Sequence, residues 1–343
     1  MSSVDSPHFL GLIKDLSFIN KYLVKDRHVS APLDANKLRI SSESFKRIAR
    51  FYNLPASFVH TLCRHFLPSG RGYHELTTNN GSDGYGHWYL LPVRVQVRCT
   101  DKRKGHVTSA SNNNQMDPLN YLHLPDAEVD IRGSCIAVYA GHDLSTGNTT
   151  FVIFNLLDGR WAKVVEEPEL RLAEAFHRAK KFERTLSPYL PHLVYFTSIS
   201  RWWTNAISSV NDQLIAYVRL ISMEHSNTLR TNCTQEKALQ HEMDSEHDST
   251  DFYAKLNRAL HAIAAHLHRY HTDLNCVEAT VTQIVHQLTQ MRHTHEAYED
   301  ANRKTVHGLE QTASQLRATN DFSQEVKEKS RNILALVSER YFF

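Results

Sequence analysis

The side chains best suited to chemistry in this sequence are its histidines. The chain has 22 of them in 343 residues, and four lie close together: His261, His266, His268 and His271. Imidazole nitrogens bind transition metals and titrate near neutral pH, so this group could hold a metal ion or sense pH. On a helix, however, His261 and His268 share one outer position, whereas His266 and His271 flank opposite sides of the apolar face. Because no three converge, we expect a solvated role or polar contacts between helices.

Two further groups suggest metal binding at first sight. The dipeptide His241-Glu242 resembles the start of a zinc-protease motif, but the next histidine, His247, follows the first after six residues instead of four. It would therefore not share the helix face that zinc needs. Three carboxylates near a helix junction could face a hard cation: Glu296, Glu299 and Asp300. Solvated carboxylates in a turn are the simpler interpretation, and we assign no metal ligand from the sequence.

The sequence carries no catalytic signature. It has no Gly-x-Gly-x-x-Gly, no Walker A lysine loop and no Gly-x-Ser-x-Gly elbow. The pair Trp202-Trp203 follows Arg201 at the entrance to a helical tail, and packing explains it better than a platform for a ligand does. No nucleophile, base and orienting group can be assembled from local sequence. We therefore predict no catalytic and no cofactor-binding residues, and a protein that is not an enzyme.

The composition is that of a soluble globular protein. Hydrophobic residues make up 41% of the chain, charged residues 22%, and the net charge is +2. The basic residues Arg98, Lys102, Arg103 and Lys104 form one short cluster, which we interpret as a solvated loop, so the sequence does not predict a nucleic-acid partner. Five scattered cysteines indicate a reducing compartment without a disulfide framework. Without a leader or an apolar run long enough to span a bilayer, we expect a cytoplasmic chain with no transmembrane segment.

The main organising element is a long helix with one continuous apolar face. Between Tyr253 and Tyr298, side chains that can pack recur at steps of three and four, which predicts a helix about 70 Å long lying against another helix. We call such a face a seam, and here it is formed by Tyr253, Leu256, Leu260, Ile263, Leu267, Tyr270, Leu274, Val277, Val281, Ile284, Leu288, Met291, His295 and Tyr298.

The rest of the tail, after Pro191, contains no proline and one glycine, Gly308, which favours helix throughout. A first seam is formed by Trp203, Ile207, Val210, Leu214, Tyr217 and Ile221, and a third by Val306, Leu309, Ala313, Leu316, Val326, Ile333 and Val337, with polar interruptions at Asn320 and Ser323. The polar stretch His225 to Asp248 is predicted to be a mobile linker or frayed helix, with Ser249 or Thr250 capping the second helix. We favour a chain reversal between Glu299 and Thr305, which would let two seams cover each other.

Upstream of this tail the pattern mixes helices and strands. We predict helices from Ser42 to Phe51, from Pro55 to Phe66 and from Glu166 to Arg184, a turn region from Ser69 to Gly86, a strand from Pro92 to Arg98, an exposed loop from Asp101 to Asp117, a hairpin of Cys135 to Tyr139 with Thr150 to Leu156, and a further strand from Trp161 to Val165. Pro92 should lie at the start of its strand or on an edge.

These elements predict an α+β protein in three parts. Residues 1–190 form a mixed α/β head, residues 191–248 a first long helix with a polar linker, and residues 249–343 a long antiparallel helix hairpin that resembles a coiled-coil stalk.

The order of these parts and their residue patterns resemble the cytosolic portion of the fungal branch of the CorA-like magnesium transporter family. The residues that carry the resemblance are Arg201-Trp202-Trp203, the segment Phe252 to Leu288 with Leu274-Asn275-Cys276-Val277-Glu278 at its centre, and the closing Lys329-Ser330-Arg331-Asn332-Ile333-Leu334-Ala335-Leu336-Val337. The family implies paired helices, a stalk helix leading to two membrane spans, pentameric assembly and sensing of intracellular divalent cation. The chain ends at Phe343 without a span or a Gly-Met-Asn loop, so we do not expect conduction by this chain alone.

Two functions from different classes follow as hypotheses. The first is a CorA-like regulatory head and stalk in divalent-cation transport, with Mg²⁺ as regulatory ligand, a homo-oligomeric state and a membrane-bound transporter partner at the cytosolic face of a membrane. The alternative is a soluble coiled-coil scaffold, or protein-interaction module, whose seams bind partner helices.

Overall fold

A computed structural model describes residues 41–63, 69–77, 83–98, 121–143, 149–155, 162–182, 186–231, 238–290 and 299–341. The strands are β1 (Gly70–Thr77), β2 (Asp83–Arg98), β3 (Tyr121–Leu124), β4 (Val129–Asp143) and β5 (Thr149–Asn155). The helices are α1 (Ser42–Phe51), α2 (Ala56–Leu62), α3 (Ala162–Lys181), α4 (Leu190–Thr231), α5 (Ala238–Gln290) and α6 (Glu299–Tyr341). A region of mixed strands and helices thus precedes long helices, and the predicted α+β class is confirmed. The predictions for Phe66, residues 101–117 and residues 291–298 lie outside the described residues.

The five strands form one sheet in the order β1-β2-β4-β3, with β5 also paired to β4. β3 pairs with the first residues of β4, and β5 pairs antiparallel with its last part, from Ile136 opposite Asn155 to His142 opposite Thr149. The second pairing confirms the predicted hairpin. β3 was not predicted, because four residues are too few to show a period.

The stretch from Ser69 to Gly86, predicted to be a turn region, is instead mostly strand. β1 pairs antiparallel with the first half of β2, and Gly72 faces Trp88 while Gly86 faces His74. A Cβ added at Gly72 would lie 2.4 Å from the Trp88 indole, and one at Gly86 would lie 2.1 Å from the His74 ring. These glycines therefore make room for aromatic rings across the hairpin, which is why a glycine-rich stretch can be a strand here.

This geometry predicts that Gly72→Ala lowers the free energy of unfolding by about 1–3 kcal/mol, since the added methyl group would displace Trp88 from its packing. Denaturant unfolding of the purified chain measures the change. Arg71→Ala, at the exposed neighbouring position of the same strand, is the control and should unfold close to wild type. Equal midpoints for the two variants would show that Trp88 relaxes without cost.

The strand predicted from Pro92 to Arg98 begins earlier, at Asp83, so Pro92 lies inside β2 and the edge alternative is the one that is met. The β1 register ends with Gly70 opposite Leu90, two residues before Pro92. Proline is tolerated in a strand where the ladder on one side has ended, and this position meets that condition.

The N-terminal helices cover one face of the sheet. Ser41 caps α1, its hydroxyl accepting a hydrogen bond from the Ser44 backbone N–H, as the capped-helix prediction requires. α2 inserts Phe58 between Trp88 of β2 and Phe154 of β5, with ring centres 5.8 and 6.1 Å away. The wider core of this face also includes Leu54, Leu62, Leu90, Cys135, Ala137, Tyr139 and Val152.

The described chain separates into two compact units that do not follow the predicted division at residues 190 and 248. The first unit comprises Met1–Val93, Ser134–Ser200 and Cys276–Leu316, and the second comprises Arg94–Gly133, Arg201–Asn275 and Arg317–Phe343. Each unit therefore combines strand segments with segments of all three long helices. A linear partition of the sequence could not anticipate this, because units are defined by contacts between residues far apart in the chain.

Several predicted boundaries in the helical part need correction. Trp161 to Val165 was predicted as a strand, but α3 begins at Ala162 and carries Pro168 inside it; a five-residue apolar run does not distinguish strand from helix. The stretch His225 to Asp248, predicted to be a mobile linker or frayed helix, is helical where the structure describes it, since α4 continues to Thr231 and α5 begins at Ala238 rather than near Ser249. No glycine or proline interrupts this polar stretch, so it can extend both helices.

The predicted seams are buried where the structure describes them, except at Tyr253, which is half-buried; Met291, His295 and Tyr298 lie outside the described residues. On the three long helices, the buried seam residues are Trp203, Ile207, Val210, Leu214, Tyr217, Ile221, Leu256, Leu260, Ile263, Leu267, Tyr270, Leu274, Val277, Val281, Ile284, Leu288, Val306, Leu309, Ala313, Leu316, Val326, Ile333 and Val337. Asn320 and Ser323, predicted to interrupt the third seam, are buried with them.

The chain reverses between α5 and α6. In the second unit, Asn320 Nδ2 donates a hydrogen bond of 2.7 Å to Asn275 Oδ1. One uninterrupted helix would separate these residues by about 68 Å, so the contact requires a reversal between them. The predicted location is wrong, however, because residues 299–305 form the first turns of α6.

α4 and α6 run in the same direction. In the first unit the Ser187 hydroxyl, just before α4, donates to Asn302 Oδ1 at 2.7 Å, and Leu193 contacts the position of Gly308. In the second unit Thr204 bonds to Thr319 at 2.9 Å, and Lys329 Nζ donates to Asn211 Oδ1 at 3.0 Å. Within each unit, residues farther along α4 contact residues farther along α6, which is the pattern of parallel helices.

Candidate functional site

Three buried histidines in the first unit form the strongest candidate site. His87 lies on β2, His142 near the end of β4, and His192 in the first turn of α4. Their exposed fractions are 2%, 4% and 0%. In β2 the residues of one face alternate as Tyr85, His87 and Tyr89, opposite to the face that bears Trp88. The rings thus lie on the side of the sheet that does not face the α1–α2 core.

The three imidazole rings form a nearly equilateral triangle. Ring centres are 6.1 Å apart for His87 and His142, and 6.3 Å apart for each of the other two pairs. The Nε2 atom of each ring is buried and has no hydrogen-bond partner among the described residues. As the side chains stand, no group of three or more His, Cys, Asp or Glu within the described ranges is arranged to hold a metal ion.

The other sides of the rings are held by polar groups. His142 Nδ1 is 2.9 Å from the Thr149 hydroxyl, and His192 Nδ1 is 2.7 Å from the Tyr89 hydroxyl. The side chain of Gln287, on α5, lies near enough to His87 to affect its pKa. These contacts fix ring orientation, and when Nδ1 carries the hydrogen the Nε2 atom is left with a free lone pair.

Burial keeps the three rings neutral. Desolvation lowers the pKa of His87 to about 4, with the nearby His74 adding to the effect and Gln287 opposing it. Burial likewise holds the pKa of His142 and of His192 well below the ordinary range of histidine, and the neighbouring imidazoles add to the shift. At neutral pH the cluster therefore presents three uncharged imidazoles, the form that binds metals.

Aromatic side chains enclose the cluster. The ring of His142 lies 4.8 Å from that of Tyr85 and 5.0 Å from that of Tyr189, and these two tyrosine hydroxyls are hydrogen-bonded to each other. Phe151 lies 4.8 Å from His192. Burial raises the pKa of Tyr85, Tyr89 and Tyr189, so the tyrosines around the cluster stay protonated and uncharged.

A buried ion pair is the main polar feature of the second unit. Arg94 Nη2, on β2, donates to Asp273 Oδ2, on α5, at 2.8 Å, and Arg269 Nε lies 3.0 Å from Oδ1. The Arg94 guanidinium carbon also lies 5.4 Å from the ring centre of Trp203 and 5.2 Å from that of Tyr270. Burial raises the pKa of Asp273, while the two arginines oppose the shift. Every charge here has a partner within the unit, which indicates a structural role.

The four histidines predicted from the sequence differ in burial and in their contacts. His261 and His268 are exposed, and His266 is buried with Nδ1 3.2 Å from the Tyr270 hydroxyl. His271 Nδ1 donates to Asn320 Oδ1 at 2.9 Å and accepts at Nε2 from Asn275 Nδ2 at 3.1 Å.

With the Asn320–Asn275 bond described above, His271 completes a closed ring of three hydrogen bonds between α5 and α6. This ring explains the buried Asn320. The prediction of inter-helix polar contacts is confirmed for His271.

The other predicted candidates have local explanations or lie outside the described part. Asp300 is exposed and accepts from Arg303 and Lys304 at 2.6 and 2.5 Å, and these hydrogen bonds, that of Lys304 first, lower its pKa. Glu299 is exposed, while Trp202 and Trp203 are buried, in agreement with packing. Glu296 and Lys102 to Lys104 are outside the described residues, as are the side chains of His241, Glu242 and His247.

Sequence reasoning missed the three-histidine cluster. The four-histidine group on α5 drew attention because its members are close in sequence, whereas the members of the cluster are 55 and 50 residues apart. The available signal was the alternation Tyr85-x-His87-x-Tyr89, which places a histidine in line with large buried side chains. Assigning residues 69–86 to a turn region hid that pattern.

The part of the chain that the structure describes contains no helix long and apolar enough to cross a membrane. No protein-family model, curated protein or solved structure matches this chain.

Proposed function

We propose that this chain acts as a CorA-like regulatory head and stalk in divalent-cation transport, with Mg²⁺ as its regulatory ligand. The observation that supports this most is the arrangement of the long helices: α4 and α6 run in the same direction, and the chain reverses between α5 and α6. The family resemblance implies paired helices followed by a stalk helix, and the proposal is supported by three helices of 42, 53 and 43 residues.

Such a head would regulate through assembly, because the ion path of this family lies between identical subunits. Divalent cations would bridge carboxylates and change how subunits associate. Within the described residues, Asp300 is a weak candidate for this role, since Arg303 and Lys304 already neutralise it.

Light scattering of the purified chain tests the proposal. We expect millimolar MgCl₂ to change the molar mass relative to a NaCl solution of equal ionic strength, and chelation to reverse the change. NaCl controls for general screening of surface charges. A molar mass that is the same with Mg²⁺, with NaCl and with chelator would contradict the proposal.

The alternative function is a helical scaffold, and one observation favours it. Three large apolar side chains near the C-terminal part of α4 are exposed: Val218, Leu220 and Met223. Exposed apolar groups on one helix are a common basis for helix docking. A scaffold would form the same oligomer with and without Mg²⁺.

For the scaffold, we expect Leu220→Gln/Met223→Gln to lower the molar mass by weakening that association. Light scattering under the same conditions measures it. Arg219→Gln, at an exposed position of the same turn, is the matched control and should keep the wild-type mass. An unchanged mass for the double variant would argue against docking through Leu220 and Met223.

A further inference from the structure

The three buried histidines share one unusual feature, which is a ring nitrogen that makes no hydrogen bond to a described residue. Each Nε2 atom of His87, His142 and His192 is buried without a partner among the described residues. An unsatisfied buried polar group carries a desolvation cost, and native proteins keep few of them. Three in one cluster, on three different elements, indicate that something other than the described side chains completes the site.

We infer that His87, His142 and His192 bind one divalent transition-metal ion of the zinc class through their Nε2 atoms. The inference goes beyond the proposed function, which concerns Mg²⁺. Three imidazoles with a fourth position left to water form a common zinc coordination set, and nitrogen ligands favour Zn²⁺ over Mg²⁺, which prefers oxygen.

The rings stand farther apart than they would around a bound ion, so binding requires them to close on the metal. With a Zn–N distance of about 2.1 Å, tetrahedral geometry places imidazole centres about 5.3 Å apart. The observed 6.1–6.3 Å is wider, which agrees with the lack of a ready-made three-ligand arrangement. An inward movement of about 0.5 Å by each ring, with rotation of the imidazoles, would close the difference.

The surroundings of the rings match those of metal-bound histidines. Zinc-binding imidazoles usually donate their second N–H to an oxygen, which fixes ring orientation. Here Thr149 and Tyr89 supply hydroxyl oxygens to the Nδ1 atoms of His142 and His192.

Metal analysis of the full chain, purified without chelator, is the first test. We expect about one zinc ion per chain after dialysis against Zn²⁺ and removal of free metal. Co²⁺ introduced into the chelator-treated protein should give the intense visible absorption of tetrahedral cobalt. Zn²⁺, but not Mg²⁺, should raise the melting temperature by at least about 4 °C.

Matched variants locate the ion. His142→Asn and His192→Asn should each bind at least about tenfold less zinc, whereas His261→Asn/His268→Asn, which alters two exposed histidines of α5, should bind as wild type does. Circular dichroism checks that the variants are folded. Should a variant not fold, cobalt absorption and the zinc-dependent melting shift of the wild-type chain decide the question.

Zinc content of about one-tenth or less per chain, together with no melting shift, would overturn the inference and leave ordered water as the occupant. Zinc lost equally in the control variant would also overturn it, by pointing to surface histidines. Neither result bears on Mg²⁺-dependent assembly, so the two proposals fail separately.

Discussion

Asp273→Ala is expected to lower the free energy of unfolding by about 3–5 kcal/mol, because it removes the carboxylate that faces a buried guanidinium. Arg94 is 2% exposed and donates to Asp273 at 2.8 Å. Its ring contacts with Trp203 and Tyr270 would remain, but they cannot replace a full negative charge. Denaturant unfolding followed by circular dichroism measures the loss.

Two comparisons make this prediction specific. Asp300→Ala removes an exposed carboxylate that also bonds to two cations, and it should unfold close to wild type because solvent screens surface pairs. Arg94→Met/Asp273→Leu should recover most of the lost stability, since apolar side chains can replace a buried ion pair. An Asp273→Ala variant as stable as Asp300→Ala would show that the buried pair contributes little.

Acidification should destabilise the protein strongly between about pH 6.5 and pH 4. Each of His87, His142 and His192 has a pKa lower in the folded than in the unfolded chain. In this window the unfolded chain binds more protons, so stability is complete above the ordinary histidine pKa and is lost as the pH falls. For His87, with a pKa of about 4, the loss is about 3 kcal/mol. The other two add in the same direction.

The midpoint of denaturant unfolding, measured at several pH values with chelator present, tests this. His87→Gln should flatten the profile, because one proton-binding difference is removed. His261→Gln/His268→Gln should leave the profile as it is, since both side chains are exposed. Asp273, whose pKa burial raises, acts in the opposite direction at the acidic end, so the histidine effect is read best above pH 5. A flat profile there would contradict burial of neutral histidines.

The parts of the fold that follow a local period were predictable. The seams of α4, α5 and α6 and the β4–β5 hairpin were correctly predicted, because burial of one face imposes a repeat within each element. The hairpin of β1 with β2 was not, since its glycines are explained by Trp88 and His74 on the opposite strand. From local composition alone, a glycine in a turn cannot be distinguished from a glycine in such a strand.

The α+β class and the long helices could be predicted from the chain alone, because both depend on spacing within single elements. Which polar groups meet depends on the folded chain. It gathers His87, His142 and His192 from two strands and a helix, and it pairs Arg94 with Asp273 across 179 residues. The physical reason is that helix and strand periods specify which face of an element is buried, whereas the partner of that face is set by the packing of all elements together.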